Sequence, residues 1–325
     1  MILRLFYKLK ISISIIIYHS IDMSNNQVSV IIPVYNGGKT IKETIQSVLN
    51  QTFTNFELII INANSTDATL SIISQIEDER IKVYSYSKAN VAVNRNRGIK
   101  HATGNYITFL DADDLWTDDK LAAQYTALQS NPQAGVAYSW TNCIDENGKF
   151  LRKTSQVNWN GDVYSKFLLD DFIGNGSNVM IRRELLIEVG GFDEKLTNAQ
   201  DTDMWLKLSA LSNFICIPKA QILYRILTDS MSSNVLGLEK SNLEIIQRAF
   251  AHKKAKYYQH LKSKAIGNLY KYLCYKVLNE HRHDPEGQQQ QPAPKRHVPF
   301  KRVAVVIGRQ HPQGHDHQHQ QKRYG

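Results

Sequence analysis

Three segments of this sequence are apolar almost without a break, and they restrict the fold more than anything else in it. They are VSVIIPV (residues 28–34), FELIII (56–61) and YITFL (106–110), all rich in Val, Ile and Leu. Successive side chains of a strand point to opposite faces, so a run of this kind belongs to a strand covered on both sides. Between the runs the spacing becomes helical. Ile41, Ile45, Val48 and Leu49 predict a helix over 40–50, with Thr40 as its N-cap. Ser65 and Asp67 can cap a second helix reaching about residue 76. A third strand is expected over 81–86, and a helix over 92–103 that stops at Gly104. Strands alternating with helices of this length imply right-handed βαβ units and a parallel sheet, an α/β fold. Ligands on such sheets bind beyond the carboxyl ends of the strands. The polar clusters YNGG (35–38), NANSTD (62–67) and DADD (111–114) all fall there.

Further along, a helix is expected over 121–131 and a strand over 136–141, followed by a turn at Glu146, Asn147 and Gly148. Short strands are expected over 178–181, 215–217 and 220–225, with Gly190 and Gly191 marking a break. Residues 238–280 return to helical spacing, with Lys and Tyr scattered along them. They read as helices packed on the domain with solvated lysines, rather than as a surface for anionic lipid. No internal repeat is present.

The net charge of +9 suggests a nucleic-acid partner until it is located. Residues 281–325 hold eight Lys/Arg against three Asp/Glu, and residues 1–22 hold Arg4, Lys8 and Lys10 against Asp22. The body is nearly neutral, so no nucleic-acid partner is expected. The apolar run at 11–21 contains Ser12, Ser14, His19 and Ser20. It is shorter than the ~20 residues of a membrane span. Residues 1–22 therefore read as a misassigned extension ahead of Met23, or as a weak membrane-surface anchor. Residues 281–325 contain seven of the eleven His and five of the eight Pro, and read as a low-complexity, disordered tail. The three cysteines, Cys143, Cys216 and Cys274, lie far apart and argue against a disulfide scaffold.

Asp111, Asp113 and Asp114 follow an apolar strand directly. Carboxylates two residues apart at a strand end can hold a hard divalent cation, which in turn can clamp a diphosphate. They serve equally well as a solvated turn with a helix cap. Context decides between the two. VSVIIPVYN (28–36), SVLNQTF (47–53), FELIIIN (56–62), STDAT (65–69), NRNRGIKHATGNYITFLDADD (94–114), GGFDE (190–194), QDTDMW (200–205) and YR (224–225) occur in this order. Together they resemble glycosyltransferase family 2, the inverting nucleotide-sugar enzymes of GT-A fold.

The resemblance implies a GT-A domain over 23–237, Rossmann-like with a mostly parallel sheet flanked by helices, and a C-terminal helical segment over 238–280. It implies transfer of a sugar from a nucleoside-diphosphate sugar to a hydroxyl of a glycan or lipid-linked acceptor. Lipopolysaccharide or capsule synthesis in the cytoplasm, at the inner face of the membrane, is the expected setting. Pro33 and Tyr35 would lie beside the donor nucleotide and Arg95 near the donor. Asp111 would approach the ribose, and Asp113 would hold Mg²⁺ or Mn²⁺ on the diphosphate. Asp201 falls where the family keeps its general base. From the residues alone, Asp201 and Asp203 are equally good helix caps, and Asp203 remains the alternative base.

Some positions depart from the family pattern. Asn62 and Ala63 stand where an acidic pair is common, and Ala63 cannot accept a hydrogen bond from a base. That task is expected to pass to the Asn62 amide, a backbone carbonyl or water, or else selectivity among bases weakens. Gly37, Gln200 and Leu227 also replace frequent family residues. A non-catalytic nucleotide-sugar-binding protein of the same fold is one alternative. A phosphohydrolase of the haloacid dehalogenase type, with Asp111 as nucleophile, is another, but Leu115 does not suit it.

Overall fold

The computed structural model describes residues 27–227 and 234–280. The expectations for residues 1–22 and 281–325 lie outside these residues. The chain divides into two compact units at Leu269 and Tyr270. The sheet and all of the expected site residues belong to the first unit.

Strands β1 (Val28–Val34), β2 (Phe56–Asn62), β3 (Ile81–Ser85) and β4 (Tyr106–Phe109) are parallel, in the spatial order β3-β2-β1-β4. Helices α1 (Ile41–Leu49), α2 (Thr69–Ile73) and α3 (Val91–His101) connect them. The apolar runs are explained by burial on both faces. Val28, Val30, Ile32 and Val34 pack in one core with Ile41, Ile45 and Val48 of α1. Ile31 faces the other way, into a second core with Ile59, Ile61, Ile107 and Phe109. Each fully buried Ile there contributes roughly 1.5–3 kcal/mol.

The sheet continues through β8 (Met180–Arg182), β6 (Ala134–Ile144), β9 (Asn213–Arg225) and β5 (Leu115–Trp116), with β7 (Phe150–Lys153) paired to β6. Strand β8 runs antiparallel to β4 and β6, whereas β6 and β9 are parallel. The two strands expected over 215–217 and 220–225 are one. Its register slips between Ile217 and Ala220, where Pro218 cannot donate to the ladder. The two-residue β5, too short to show a period although Trp116 is buried, and the wholly exposed β7 were not foreseen.

Helices α4 (Lys120–Ser130), α5 (Tyr164–Phe167), α6 (Arg183–Glu188), α7 (Gln200–Leu211) and α8 (Val235–Ala251) complete the layers. A 3₁₀ segment (Lys253–Leu261) then leads into α9 (Lys262–Glu280). Ile245, Phe250, Ala255 and Ala265 join the same buried cluster as Ile31 and Phe109. The start of the C-terminal segment thus packs onto the domain. Helix α2 ends at Ile73, short of the expected residue 76. Thr40 stands at the N-cap of α1, but its hydroxyl donates to the Ala112 carbonyl at 2.8 Å instead of capping.

At the amino end of the parallel strands, Glu57 is buried and accepts four hydrogen bonds. Ser29 Oγ donates at 2.6 Å, Thr103 N and Oγ1 at 2.7 Å each, and Lys82 Nζ at 2.7 Å. Burial raises the carboxyl's pKa, but the bonds from Lys82, Ser29 and Thr103 outweigh it and hold the value at about 2. Its contribution to stability is complete above the ordinary value of 4.5 and is lost as pH falls toward 2. Glu57→Gln is expected to cost on the order of 3 kcal/mol at neutral pH. Denaturant titrations at decreasing pH should then bring variant and wild type together. A gap unchanged down to about pH 2 would contradict this account of Glu57.

Candidate active site

Parallel strands bring their carboxyl ends to one edge, and the predicted residues collect there. The loops after β1 and β2 interlock. Asn36 and Asn64 adopt left-handed backbone (φ 52° and 60°), a conformation Asn tolerates better than most residues. Asn36 N donates to Ser65 Oγ at 2.9 Å, and Thr66 N to Asn36 Oδ1 at 2.8 Å. Asp67 accepts from Gly38 N at 2.9 Å and from Thr69 N at 3.0 Å, pinning the YNGG loop to the start of α2. The N-cap position itself is Ala68, so neither Ser65 nor Asp67 is the expected cap.

Pro33 is buried within β1, opposite Ile61. Tyr35 beyond it is 42% exposed, with Lys88 Nζ 3.9 Å from its ring centre. Asn62 behaves differently from expectation. It is buried, its Nδ2 donates to Ser85 Oγ at 3.1 Å, and its Oδ1 accepts from Ser65 N at 3.1 Å. Flipping the amide would set its NH₂ against the Ser65 N–H, so the amide has one orientation and both ends are engaged. Ala63 is fully buried, with its N–H on the Val34 carbonyl at 2.8 Å. These two side chains close the loop from within rather than offer a surface to a base.

Arg95 joins the two halves of the site. It lies on α3 with its side chain only 2% exposed. Nη2 donates to Asp111 Oδ1 at 2.7 Å, and Nη1 donates to Asp201 Oδ1. The rings of Phe192 and Phe109 lie 5.2 and 5.9 Å from its guanidinium carbon. A cation this buried needs paired carboxylates. Here they are the first residue of the acidic turn and one from the first turn of α7, which are far apart in sequence. Asp203 points elsewhere, pairing with Lys207 at 2.7 Å and Arg248 at 3.1 Å. Neither aspartate caps α7, whose N-cap is Ala199 in a left-handed conformation. The two aspartates thus have different partners: Asp201 shares Arg95 with Asp111, and Asp203 pairs with Lys207 and Arg248.

Burial lifts the Asp201 carboxyl to about 6. Arg95 pulls it down, while Asp111 and Asp171 push it up. Asp113 is also raised to about 6, by burial and by neighbouring Asp111. Asp114 is fully buried and raised well above its ordinary range. Its Oδ2 accepts from Ser177 Oγ at 2.5 Å and its Oδ1 from Arg225 N at 2.9 Å. Asp114 thus anchors the turn, leaving Asp111 and Asp113 at the edge. Crowded carboxylates of this kind suit a divalent cation. Among the described residues no cluster of three or more His, Cys, Asp or Glu is placed to hold a metal. Asp111 and Asp113 could supply protein ligands only if a bound diphosphate and water supplied the rest.

Residues 29–277 match the sequence profile described as glycosyltransferase like family 2. The chain belongs to this family. It is 31% identical over 251 residues to an Escherichia coli protein named UDP-Glc:alpha-D-GlcNAc-diphosphoundecaprenol beta-1,3-glucosyltransferase WfgD, covering 75% of this chain and 95% of that one. It is 34% identical to the putative teichuronic acid biosynthesis glycosyltransferase TuaG of Bacillus subtilis, covering 64% and 82%. Identity to an uncharacterized glycosyltransferase of Rickettsia bellii is 35%, over 57% of this chain but only 26% of that longer protein. Among solved structures, Staphylococcus aureus TarS 1-349 with UDP-GlcNAc superposes with a TM-score of 0.58 at 18% identity, covering 78% of this chain and 88% of that one. The Pyrobaculum calidifontis mannosyltransferase PcManGT with GDP-Man and Mn²⁺ also gives 0.58 at 18% identity, covering 88% and 81%. These likenesses establish the GT-A fold and leave no place for the dehalogenase-type alternative.

Gly176 was not singled out in the sequence, although the run Asn175-Gly176-Ser177 signals a tight loop. A Cβ there would run into Arg95 Nη2 and come within 3.0 Å of Asp201 Oδ1. Gly176→Ala must therefore displace the guanidinium from its carboxylates. Glycosyl transfer is expected to fall by about a hundredfold, the scale of an ångström-sized misplacement. The melting temperature should drop by only the few degrees that about 1–3 kcal/mol of overpacking produces. Initial rates within about twofold of wild type would show that Arg95 need not sit where it does.

Proposed function

We propose that this protein is a metal-dependent, inverting glycosyltransferase. It would move a hexosyl or N-acetylhexosaminyl group from a nucleoside-diphosphate sugar to a hydroxyl of a cell-surface glycan or lipid-linked acceptor. The observation that carries the reading is the single buried Arg95 bonded to both Asp111 and Asp201. It ties a carboxylate suited to the donor side to one suited to deprotonate an acceptor. The names of the E. coli and B. subtilis relatives support a role in surface polysaccharide synthesis. A lipid-linked acceptor would be met at the cytoplasmic membrane face; among the described residues no helix is long and apolar enough to cross a membrane.

In this reading Tyr35, beside Pro33 at the end of β1, offers its exposed ring to the nucleobase. Asn62 and Ala63 shape that loop from behind, and Asp111 reaches the ribose. Asp113, with Asp111, would hold Mg²⁺ or Mn²⁺ when the donor is bound, and the cation would offset the charge growing on the departing diphosphate. The Asp201 carboxylate accepts the proton of the attacking hydroxyl. With its pKa near 6 it is mostly ionised at neutral pH yet still basic. The acceptor oxygen forms its bond to the anomeric carbon as the bond to the diphosphate oxygen breaks. A single displacement of this kind inverts the configuration at that carbon.

Asp113→Asn is expected to remove metal-dependent donor binding, read by calorimetric titration of UDP and GDP with and without Mn²⁺. Asp201→Asn should leave that binding nearly intact while transfer falls by at least about a hundredfold. Asp201→Asn should also lower the melting temperature, because it leaves the buried Arg95 only partly compensated. Asp203→Asn should cost stability without that loss of transfer, since Asp203 is buried against Lys207 and Arg248. Near-normal transfer by Asp201→Asn would remove Asp201 from the base position.

A further inference from the structure

The acidic turn after β4 is gripped through the Asp111 and Asp114 carboxylates and, separately, through its backbone. Thr40 Oγ1 and Thr44 Oγ1 both donate to the Ala112 carbonyl, at 2.8 and 3.0 Å. Ser177 Oγ accepts from Asp111 N at 3.0 Å. Arg225, the last residue of β9, donates its backbone N–H to Asp114 Oδ1 at 2.9 Å and adds a second hold through its side chain. Its Nε donates to the Asp113 carbonyl at 2.8 Å, its Nη1 to the Glu146 carbonyl at 2.6 Å, and its Nη2 to Glu43 Oε2 at 2.8 Å. The Arg225 side chain is 1% exposed, whereas Glu43 is 63% exposed.

All three guanidinium nitrogens are thus spent, and none of these bonds goes to the Asp113 carboxylate. Its charge favours the ionised Asp113 carboxylate through space, but its hydrogen bonds go elsewhere. Arg225 fixes the peptide plane that follows Asp113 and leaves the carboxylate to other partners. It also ties the turn to the β6–β7 connection and to the exposed side of the first turn of α1. A fork of three donors is something Lys cannot reproduce.

We propose that Arg225 is a positioning residue. By holding the Asp113 carbonyl it aims the Asp113 side chain toward the cation and donor diphosphate, and Glu43 in turn orients Arg225. The proposal rests on the reading of Asp113 as the metal-binding carboxylate. Residues that orient a metal's ligands commonly govern affinity by about 10–100-fold when removed.

The test is titration of UDP by calorimetry, with and without Mn²⁺, alongside the melting temperature. For Arg225→Met the strengthening of UDP binding by Mn²⁺ is expected to shrink by at least about tenfold. UDP binding without metal should stay unchanged, because the β1 and β2 loops are untouched. Arg225→Lys should recover only part of the gain. A merely structural role would weaken UDP equally with and without Mn²⁺, and that outcome overturns the proposal. If Arg225→Met does not fold, Glu43→Ala carries the test, since Glu43 is exposed. The gain should then fall by about threefold, the scale of one partly exposed ion pair, at unchanged melting temperature. No change in the gain for Glu43→Ala would overturn the proposal in that case. Asp113→Asn is the control: a Mn²⁺ gain that survives it refutes the metal reading itself, separately from Arg225.

Discussion

A guanidinium removed from water must be neutralised where it lies, and in this fold that requirement brings the two sides of the candidate site together. Arg95 is enclosed by Phe109, Phe192 and the Gly176 backbone, and its charge is met by Asp111 and Asp201. Removing either carboxylate would leave buried charge only partly compensated, a loss of several kcal/mol in comparable settings. The pairing also sets the chemistry. Arg95 keeps Asp201 from rising further than about 6, while burial and Asp111 keep it from falling to the ordinary carboxylate range. The interaction that orders the site thus also tunes the basicity of its candidate base.

Behind this pair stands a neutral and polar scaffold. Ser177 links Asp111 N to Asp114, and its carbonyl accepts from Trp116 Nε1 at 2.8 Å. Asn178 fixes β6 through Ser139, donating to its carbonyl at 2.8 Å and accepting from its N–H at 2.8 Å. These side chains are buried and hydrogen-bonded, so they rigidify the turn without adding charge to it. A catalytic constellation needs such support, because small misplacements of positioned groups are costly in rate. The Gly190-Gly191 break belongs to the same logic. Both glycines have positive φ, and a Cβ on Gly191 would meet Asn96 Oδ1, which receives Phe192 N.

Much of this was legible in the residues because burial leaves a periodic trace. The parallel strands, their order of appearance and the edge on which the polar clusters gather follow from the apolar runs and the helical spacing between them. The acidic turn was legible from its place after a strand. What escaped lacks such a trace. Strand β7 is exposed throughout, β5 is two residues long, and Pro218 disguised one strand as two. Asp201 and Asp203 are alike to any local rule, since both occupy the first turn of a helix, and only tertiary partners separate them. The Arg225–Glu43 pair spans 182 residues and has no local signature at all. Asn62 misled for the opposite reason: a lone amide in a loop suggests recognition, but its two ends were claimed by Ser65 and Ser85.

The central claim is that Asp111 and Asp201, held by one arginine, flank a single displacement at the anomeric carbon. The stereochemistry of the product tests it most directly. With an α-linked nucleotide-sugar donor that the protein accepts, proton NMR of the first-formed glycoside should show the β anomer, read from the coupling constant of the anomeric proton. An α-linked product would contradict the account, because it would require two displacements or front-face attack, neither of which Asp201 as a base can explain.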